Sequence, residues 1–228
     1  MFNKRLLNTV FAAILGCSTS LASVNTTTTV PPSTTNVTAE LTRYYKSGTY
    51  NNEIIQVGNQ ALLYLVERIN LNQKVNNHER LAIVLDIDET ALSNYPFLEE
   101  HNFEITAEQF FKHLEKAKDH PLLATLAIYD YAVSNNIAVF FVSSRPEKLR
   151  DATLSNLRNV GYNSWAGIYF KPNDYSDPSI QPYKTKARKE IIDKGYTIIF
   201  TIGDQQSDLE GGYAEKTFKL PNPFYTVP

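Results

Sequence analysis

Four short, largely apolar runs constrain the fold of this chain more than any other feature of its sequence. They span residues 81–85, 137–142, 165–170 and 196–202, and each has the length and composition of a buried strand. Stretches with apolar residues at helical spacing separate them. Strands that alternate with helices form a parallel sheet that is covered by helices on both faces. The sequence therefore predicts an α/β fold.

The predicted helices carry recognisable end signals. Thr106, followed three residues later by Gln109, is typical of a capping box, so a helix is expected over 106–116. Pro146 is suited to the first position of a helix over 147–160. Further helices are expected over 122–134 and about 184–194, and apolar residues at helical spacing between 41 and 69 predict helices before the first strand.

The first residues have the layout of a secretory signal peptide. Lys4 and Arg5 precede an apolar stretch that is too short to span a bilayer permanently. Ser20-Leu21-Ala22 is similar to a signal peptidase site and predicts a signal peptide over 1–22. Ile14-Leu15-Gly16-Cys17 is similar to a bacterial lipobox, in which Cys17 would carry a lipid and anchor the protein to a membrane. We expect export, as a periplasmic or outer-membrane lipoprotein or as a secreted protein.

Composition sets the domain organisation. Residues 23–38 are almost entirely Thr, Asn, Val, Pro and Ser, so they cannot bury a core and are expected to form a tether. Residues 39–228 suffice for one α/β domain.

The net charge of −2 gives no basis for binding a nucleic acid polymer. Cys17 is the only cysteine, which excludes an internal disulfide. Nothing in the sequence indicates an oligomeric state.

Polar residues follow the predicted strands, where ligands of an open α/β sheet bind. Asp86 and Asp88 follow the first strand, and two acids at this spacing suit a nucleophile and a proton carrier. Ser143 follows the second strand at the start of a helix, where backbone N–H groups attract anions. Lys184 and Lys186 open another helix, where a cation opposes the helix dipole and so indicates a nearby anion.

The last apolar run again ends in acids. Gly203 permits a close backbone approach, and Asp204 together with Asp86 could hold a hard cation through oxygen. Taken singly, each of these groups has an ordinary structural explanation: a turn for the acids, a helix cap for the hydroxyl and a solvated pair for the lysines. Their order along the chain, acid pair, hydroxyl, lysine, acid pair, indicates a site for a phosphate.

This order resembles the four signature motifs of the haloacid dehalogenase superfamily. The likeness is strongest to its acid phosphatase branch, which comprises bacterial class C acid phosphatases and plant acid phosphatases related to vegetative storage proteins. The runs that carry it are Asp86–Asn94, Tyr183–Lys184, Gly203–Leu209 and Phe218–Tyr225, within a likeness over about 39–228. It implies a Rossmann-like parallel sheet with a small helical insert, and Mg²⁺-dependent hydrolysis of small-molecule phosphomonoesters through an aspartyl phosphate.

The resemblance also implies a role for each acid. Asp86 would be the nucleophile, and Asp88 the general acid for the leaving alcohol and then the general base for water. Mg²⁺ would be held by the Asp86 carboxylate, the Asp88 backbone carbonyl and Asp204, with Asp208 positioning a water or the metal. Crowding by a second carboxylate is expected to raise the pKa of the general acid.

The same resemblance implies that Ser143 and Lys184 bind the phosphoryl oxygens, with Lys186 as the alternative lysine. Ser144 stands where relatives often have Gly or Asn, which alters the loop and not the chemistry. A carboxylate that attacks a phosphate dianion meets charge repulsion, so a metal ion, a lysine and backbone dipoles are needed to neutralise it.

Two other functions fit the same residues. A phosphotransferase would pass the phosphoryl group to an alcohol. A storage or surface-binding protein would use the fold without catalysis, although the presence of Asp86 favours an enzyme.

Five aromatic residues between the first two motifs could stack a nucleobase or form the core of the insert, and the core is the preferred interpretation for Phe110 and Phe111. They are Tyr95, Phe97, Phe103, Phe110 and Phe111. The four histidines show no ligand spacing and are expected at the surface.

Overall fold

The computed structural model describes residues 34–75 and 79–227, which form seven α-helices and seven strands. The predicted signal peptide, Cys17 and most of the predicted tether lie outside these residues. The helices are α1 (Thr34–Lys46), α2 (Thr49–Gln73), α3 (Tyr95–Glu100), α4 (Ala107–Leu114), α5 (Leu123–Ser134), α6 (Arg150–Asn159) and α7 (Gln181–Asp193). The strands are β1 (Arg80–Leu85), β2 (Leu92–Ser93), β3 (His120–Pro121), β4 (Ala138–Pro146), β5 (Gly167–Lys171), β6 (Tyr196–Gly203) and β7 (Lys216–Lys219).

Five strands form one parallel sheet in the order β5-β4-β1-β6-β7, as the alternation of strands and helices predicts. β1 lies at the centre, where Leu85 is aligned with Phe141 of β4 and Ile202 of β6. The chain builds β4 and β5 on one side of β1 and then crosses to build β6 and β7 on the other. Ligands of open α/β sheets bind at such a switch of direction.

The side chains of β1 explain why its sequence is an unbroken apolar run. Leu81, Ile83 and Leu85 pack in one core with residues of α2 and α5, whereas Ala82 and Val84 pack in a second core with α7. Because helices cover both faces, the positions from Leu81 to Leu85 are all apolar, and only Arg80 at the exposed start of the strand is charged. Strand β7 was not predicted, since only Phe218 of its four residues is buried, as is usual for a short edge strand that carries charge.

One predicted element end is confirmed, and two others differ from the sequence expectation. The capping box at α4 is confirmed, with the Gln109 N–H donating to Thr106 Oγ1 at 3.2 Å and the Thr106 N–H donating to Gln109 Oε1 at 2.8 Å. α1 begins at Thr34, inside the segment expected to be a tether, so the folded part starts before residue 39. Pro146 does not open a helix. Its ψ of 152° keeps it in the extended strand, and a 3₁₀ turn follows before α6.

The expected insert lies between β1 and β4, and contains α3, α4 and a two-stranded antiparallel sheet of β2 and β3. Tyr95 and Phe97 are buried and Phe103 packs against the core. The core interpretation of Phe110 and Phe111 is wrong, because both are only half-buried: α4 is short and buries Leu114 alone. No helix within residues 34–75 and 79–227 is long and apolar enough to cross a membrane.

Candidate active site

Asp86 occupies the end of the central strand. Its backbone N–H donates to the carbonyl of Ile202 at 3.0 Å, which fixes it to β6, and its side chain is buried. Oδ1 accepts a hydrogen bond from Lys184 Nζ at 2.8 Å. Burial and the charge of Asp208 raise the pKa of Asp86 well above its usual range, although Lys184 opposes the shift. The raised pKa means that Lys184 alone does not supply enough positive charge to stabilise the ionised form of Asp86.

Three buried acids converge at this end of the sheet. Asp86, Asp204 and Asp208 bring carboxylate oxygens within 4.8 Å of one another. Asp204 follows β6, and Asp208 lies in the 3₁₀ turn beyond it. The turn packs so closely that a Cβ on Gly203 would lie 2.3 Å from the Cβ and Oδ2 of Asp208. The prediction that Gly203 permits a close approach is confirmed, and Asp208 is the group that approaches.

Lys184 is the cation of this cluster, and Lys186 is not. Lys184 is buried and its Nζ bonds to both Asp86 and Asp208, whereas Lys186 is exposed and lines a separate cleft. Burial alone would lower the pKa of Lys184, but the charges of Asp208 and Asp86 raise it, so the side chain stays charged. The sequence left the choice between the two lysines open. Their positions on α7 distinguish them, because only Lys184 lies on the side of the helix that faces the acids.

The balance of charge suits a divalent cation. Three carboxylates face one ammonium group, and burial with the charge of Asp208 raises the pKa of Asp204 to about 6. The Asp204 Oδ2 is oriented by two amides, Gln205 Nε2 at 2.5 Å and Asn222 Nδ2 at 2.7 Å. Mg²⁺ is bound in proteins by oxygen ligands, and this compact cluster offers carboxylate oxygens whose negative charge one ammonium group does not balance. The residues present therefore fit this metal.

Asp88 has a different environment from Asp86. Its carboxylate accepts hydrogen bonds from Arg145, at 2.8 Å from Nη2 and 3.1 and 3.2 Å from Nε, and from Asn94 Nδ2 at 2.8 Å. Burial acts to raise the pKa of Asp88, but the charge and hydrogen bonds of Arg145 outweigh it and the pKa lies below its usual value. The expectation of a raised pKa is wrong for this state, because the sequence reasoning did not include Arg145.

Glu89 is a further buried acid that the sequence reasoning missed. It has a positive φ of 47°, which is strained for a side-chain-bearing residue, and its carboxylate accepts from the Asn94 N–H at 2.6 Å and from the Tyr225 hydroxyl. Burial and the neighbouring Asp88 raise its pKa to about 8. Tyr225 and Asn222 both belong to the C-terminal run that carries the family likeness, which was the available signal for their importance.

A small pocket of about 40 Å³ opens onto these groups. Its lining includes Asp86, Asp88, Lys184 and Asp204 together with Phe110, Tyr225 and Val227. Ser144 lines it, whereas Ser143 is fully buried, with its Oγ accepting from the Arg145 N–H at 3.1 Å. Clefts of about 630 and 470 Å³ lie elsewhere on the described residues, but neither contains the buried acids. The chemistry therefore identifies the smaller pocket as the site.

Comparison with known proteins identifies a family. Residues 3–228 match the family model described as HAD superfamily, subfamily IIIB (acid phosphatase). The stem 28 kDa glycoprotein of Glycine max is 34% identical over 82% of this chain and 74% of its own length. Acid phosphatase 1 of Solanum lycopersicum is 31% identical over 63% of this chain and 58% of its length, and vegetative storage protein 1 of Arabidopsis thaliana is 36% identical over 64% and 55%.

The class C acid phosphatase of Bacillus anthracis, solved with tungstate bound, has the same fold. Its TM-score is 0.68 at 22% identity, over 83% of this chain and 86% of the solved one. The predicted haloacid dehalogenase fold is confirmed. The predicted enzyme class, an acid phosphatase and hence a phosphoric monoester hydrolase, is confirmed at the level of the family. The chain belongs to the acid phosphatases that form subfamily IIIB of the HAD superfamily.

Proposed function

We propose that this protein is a Mg²⁺-dependent acid phosphatase that hydrolyses small-molecule phosphomonoesters through an aspartyl phosphate on Asp86. The observation that carries the proposal is the convergence of Asp86, Asp204 and Asp208, whose carboxylate oxygens lie within 4.8 Å of one another beside the ammonium group of Lys184. This arrangement provides a nucleophile, a metal site and a cation for the phosphoryl group in one place.

In the first step an Asp86 oxygen attacks phosphorus and the bond to the leaving oxygen breaks. Lys184 binds a phosphoryl oxygen, and the family resemblance assigns another to the hydroxyl of Ser143, which is fully buried here with its oxygen accepting from the Arg145 N–H. Asp88 gives its proton to the leaving oxygen, which departs as the alcohol. The substrate dianion adds negative charge next to Asp88 and so favours the protonated form that this step requires, against the opposing effect of Arg145.

In the second step water attacks phosphorus and the bond to Asp86 breaks. Asp88, now ionised, accepts the proton of this water, and inorganic phosphate leaves with Asp86 restored as a carboxylate. Arg145 and Asn94 hold Asp88 through hydrogen bonds throughout. The guanidinium favours the ionised form of Asp88, which is the form that accepts the proton in this second step.

Asp86, Asp204 and the backbone carbonyl of Asp88 would hold Mg²⁺, with Asp208 at the same cluster. The ion supplies positive charge to the transferring phosphoryl group. The fit rests on the excess of buried carboxylates over cations at this point of the described chain.

Metal removal and trapping of the intermediate test the proposal together. Dialysis against EDTA should abolish hydrolysis of p-nitrophenyl phosphate, and Mg²⁺ should restore it. Rapid acid quench with ³²P-labelled substrate should yield an acid-stable, hydroxylamine-sensitive label on the protein, as expected of an acyl phosphate. Full activity after chelation would contradict the metal assignment. Label on another residue, or none under single-turnover conditions, would contradict the role of Asp86.

We also propose that the protein is exported and that Cys17 is lipidated. The layout of residues 1–22 supports this proposal, with a basic start, an apolar stretch and a lipobox-like end. Labelled palmitate should enter the full-length protein expressed in a bacterium and not a Cys17→Ser variant. An unlabelled mature protein that begins at Ser23 would favour simple secretion instead.

A further inference from the structure

Asp119 is a buried carboxylate outside the predicted site that contacts a group inside it. It directly precedes β3, and its Oδ2 lies 3.3 Å from Nη2 of Arg145. The same nitrogen donates to Asp88 Oδ1 at 2.8 Å. The guanidinium of Arg145 therefore joins Asp119, which lies at the end of the helical insert, to Asp88 at the end of the central strand.

Asp119 is itself held from two helices. Its backbone N–H donates to Asn156 Oδ1 at 2.9 Å, and Asn156 Nδ2 donates back to the Asp119 carbonyl at 2.8 Å. Its other carboxylate oxygen, Oδ1, lies 2.6 Å from His113 Nε2, and the ring of His113 stacks on Phe97 with centroids 4.1 Å apart. The position of this carboxylate is thus fixed independently of Arg145.

Arg145 depends on these partners because it is almost entirely buried, with 1% of its side chain exposed. Nη1 donates to Thr153 Oγ1 at 3.2 Å, and the remaining bonds go to Asp88 and Asp119. A buried guanidinium requires a nearby counter-charge. With Asp119 present, Arg145 keeps an ionic partner and a fixed orientation whichever contact Asp88 makes during the reaction.

We propose that Asp119 is a positioning residue, which fixes the Arg145 guanidinium and through it aims the Asp88 carboxyl at the leaving-group oxygen. The inference rests on the proposed function, since it assigns a support to the general acid named there. Small displacements of a reacting group can slow a reaction by about 10²-fold. The loss should be greatest where proton transfer to the leaving oxygen matters most.

The substitution Asp119→Asn tests this role, since it keeps the size of the side chain and removes its charge. Single-turnover release of alcohol is measured at saturating Mg²⁺ from an aryl phosphate, p-nitrophenyl phosphate, and an alkyl phosphate, glycerol phosphate. We expect the alkyl rate to fall about 10–100-fold and the aryl rate less than about threefold, with KM nearly unchanged. Asp193→Asn, which removes an exposed partner of Lys189, is the matched control and should change neither rate.

The outcomes separate this inference from the proposed function. Equal slowing of both substrates, or no slowing, in a folded Asp119→Asn protein would overturn the positioning role while the function stands. If this variant does not fold, Arg145→Lys takes its place, because lysine keeps the charge but cannot bind two carboxylates through a planar fork. For Arg145→Lys, too, we expect the rate with the alkyl phosphate to fall selectively. An equal fall with both substrates would overturn the positioning role. A wild-type protein that hydrolyses neither substrate would overturn the function and this inference with it.

Discussion

The Nζ atom of Lys184 lies 2.8 Å from Oδ1 of Asp86, although 98 positions separate the two residues in the chain. The contact forms because β1 and the start of α7 reach the same end of the sheet. It gives buried Asp86, the proposed nucleophile, its one ammonium partner among the described residues, and it identifies which of two neighbouring lysines lies at the acid cluster.

Lys184→Met should therefore lower kcat/KM by about 10²–10³-fold, the scale for losing one donor that stabilises developing charge in a dry site. Lys186→Met is the matched control, since Lys186 is exposed and lines another cleft. Steady-state kinetics with p-nitrophenyl phosphate and thermal melting of both variants give the comparison. Comparable losses in the two variants would show that the effect is one of overall charge.

The proposed roles of Asp86 and Asp88 should be distinguishable by comparing substrates that have different leaving groups. Asp86→Asn removes the nucleophile, so turnover of every substrate should vanish. Asp88→Asn keeps the nucleophile and removes the proton carrier, which slows an alkyl phosphate by about 10²–10⁴-fold and an aryl phosphate less, because its leaving oxygen needs little protonation. Single-turnover release of alcohol measures the first step in each variant.

Circular dichroism should confirm that both variants are folded. A folded Asp86→Asn protein with most of its activity would refute the nucleophile assignment. Equal slowing of the two substrate types in Asp88→Asn would refute the assignment of the general acid.

Asn222→Ala should weaken metal binding more than it weakens catalysis. Its Nδ2 donates to Asp204 Oδ2 at 2.7 Å, and losing a group that orients a metal ligand typically reduces affinity about 10–100-fold. The Mg²⁺ concentration for half-maximal activity should rise accordingly, with activity recovering at high Mg²⁺. Asn59→Ala, on an exposed position of α2, provides the control. Loss of activity that Mg²⁺ cannot restore would argue for a different role.

Gly203→Ala should destabilise the fold, because the new Cβ would lie 2.3 Å from the Cβ of Asp208, an atom that cannot move without its backbone. Overpacking of this kind typically costs about 1–3 kcal/mol. Denaturant unfolding of Gly203→Ala, Asp208→Gly and the double variant gives a cycle that isolates the clash. The cost of Gly203→Ala should nearly disappear in the Asp208→Gly background. An unchanged cost there would place its cause outside this contact.

The sequence by itself determined the elements and the order of the motifs. Largely apolar runs predicted the parallel sheet because both faces of each central strand are covered. The acids after β1 and β6 were found because strand ends of such a sheet meet at one edge. The capping box of α4 was equally readable, since its two hydrogen bonds join residues three positions apart.

The tertiary structure alone decided which side chains touch. Arg145 and Asp119 could not be assigned from the sequence, because the contacts of Arg145 with Asp88 and of Asp119 with Arg145 join distant segments and depend on burial. The motif run that contains Asn222 was visible in the sequence, but its contact with Asp204 was not. For the same reason Asp88 has a lowered pKa and Asp86 a raised one: two acids separated by one residue receive different partners, a guanidinium and a crowded carboxylate cluster. Periodicity and motif order are local properties of a chain, whereas the electrostatic environment of a side chain is set by whatever folding brings to it.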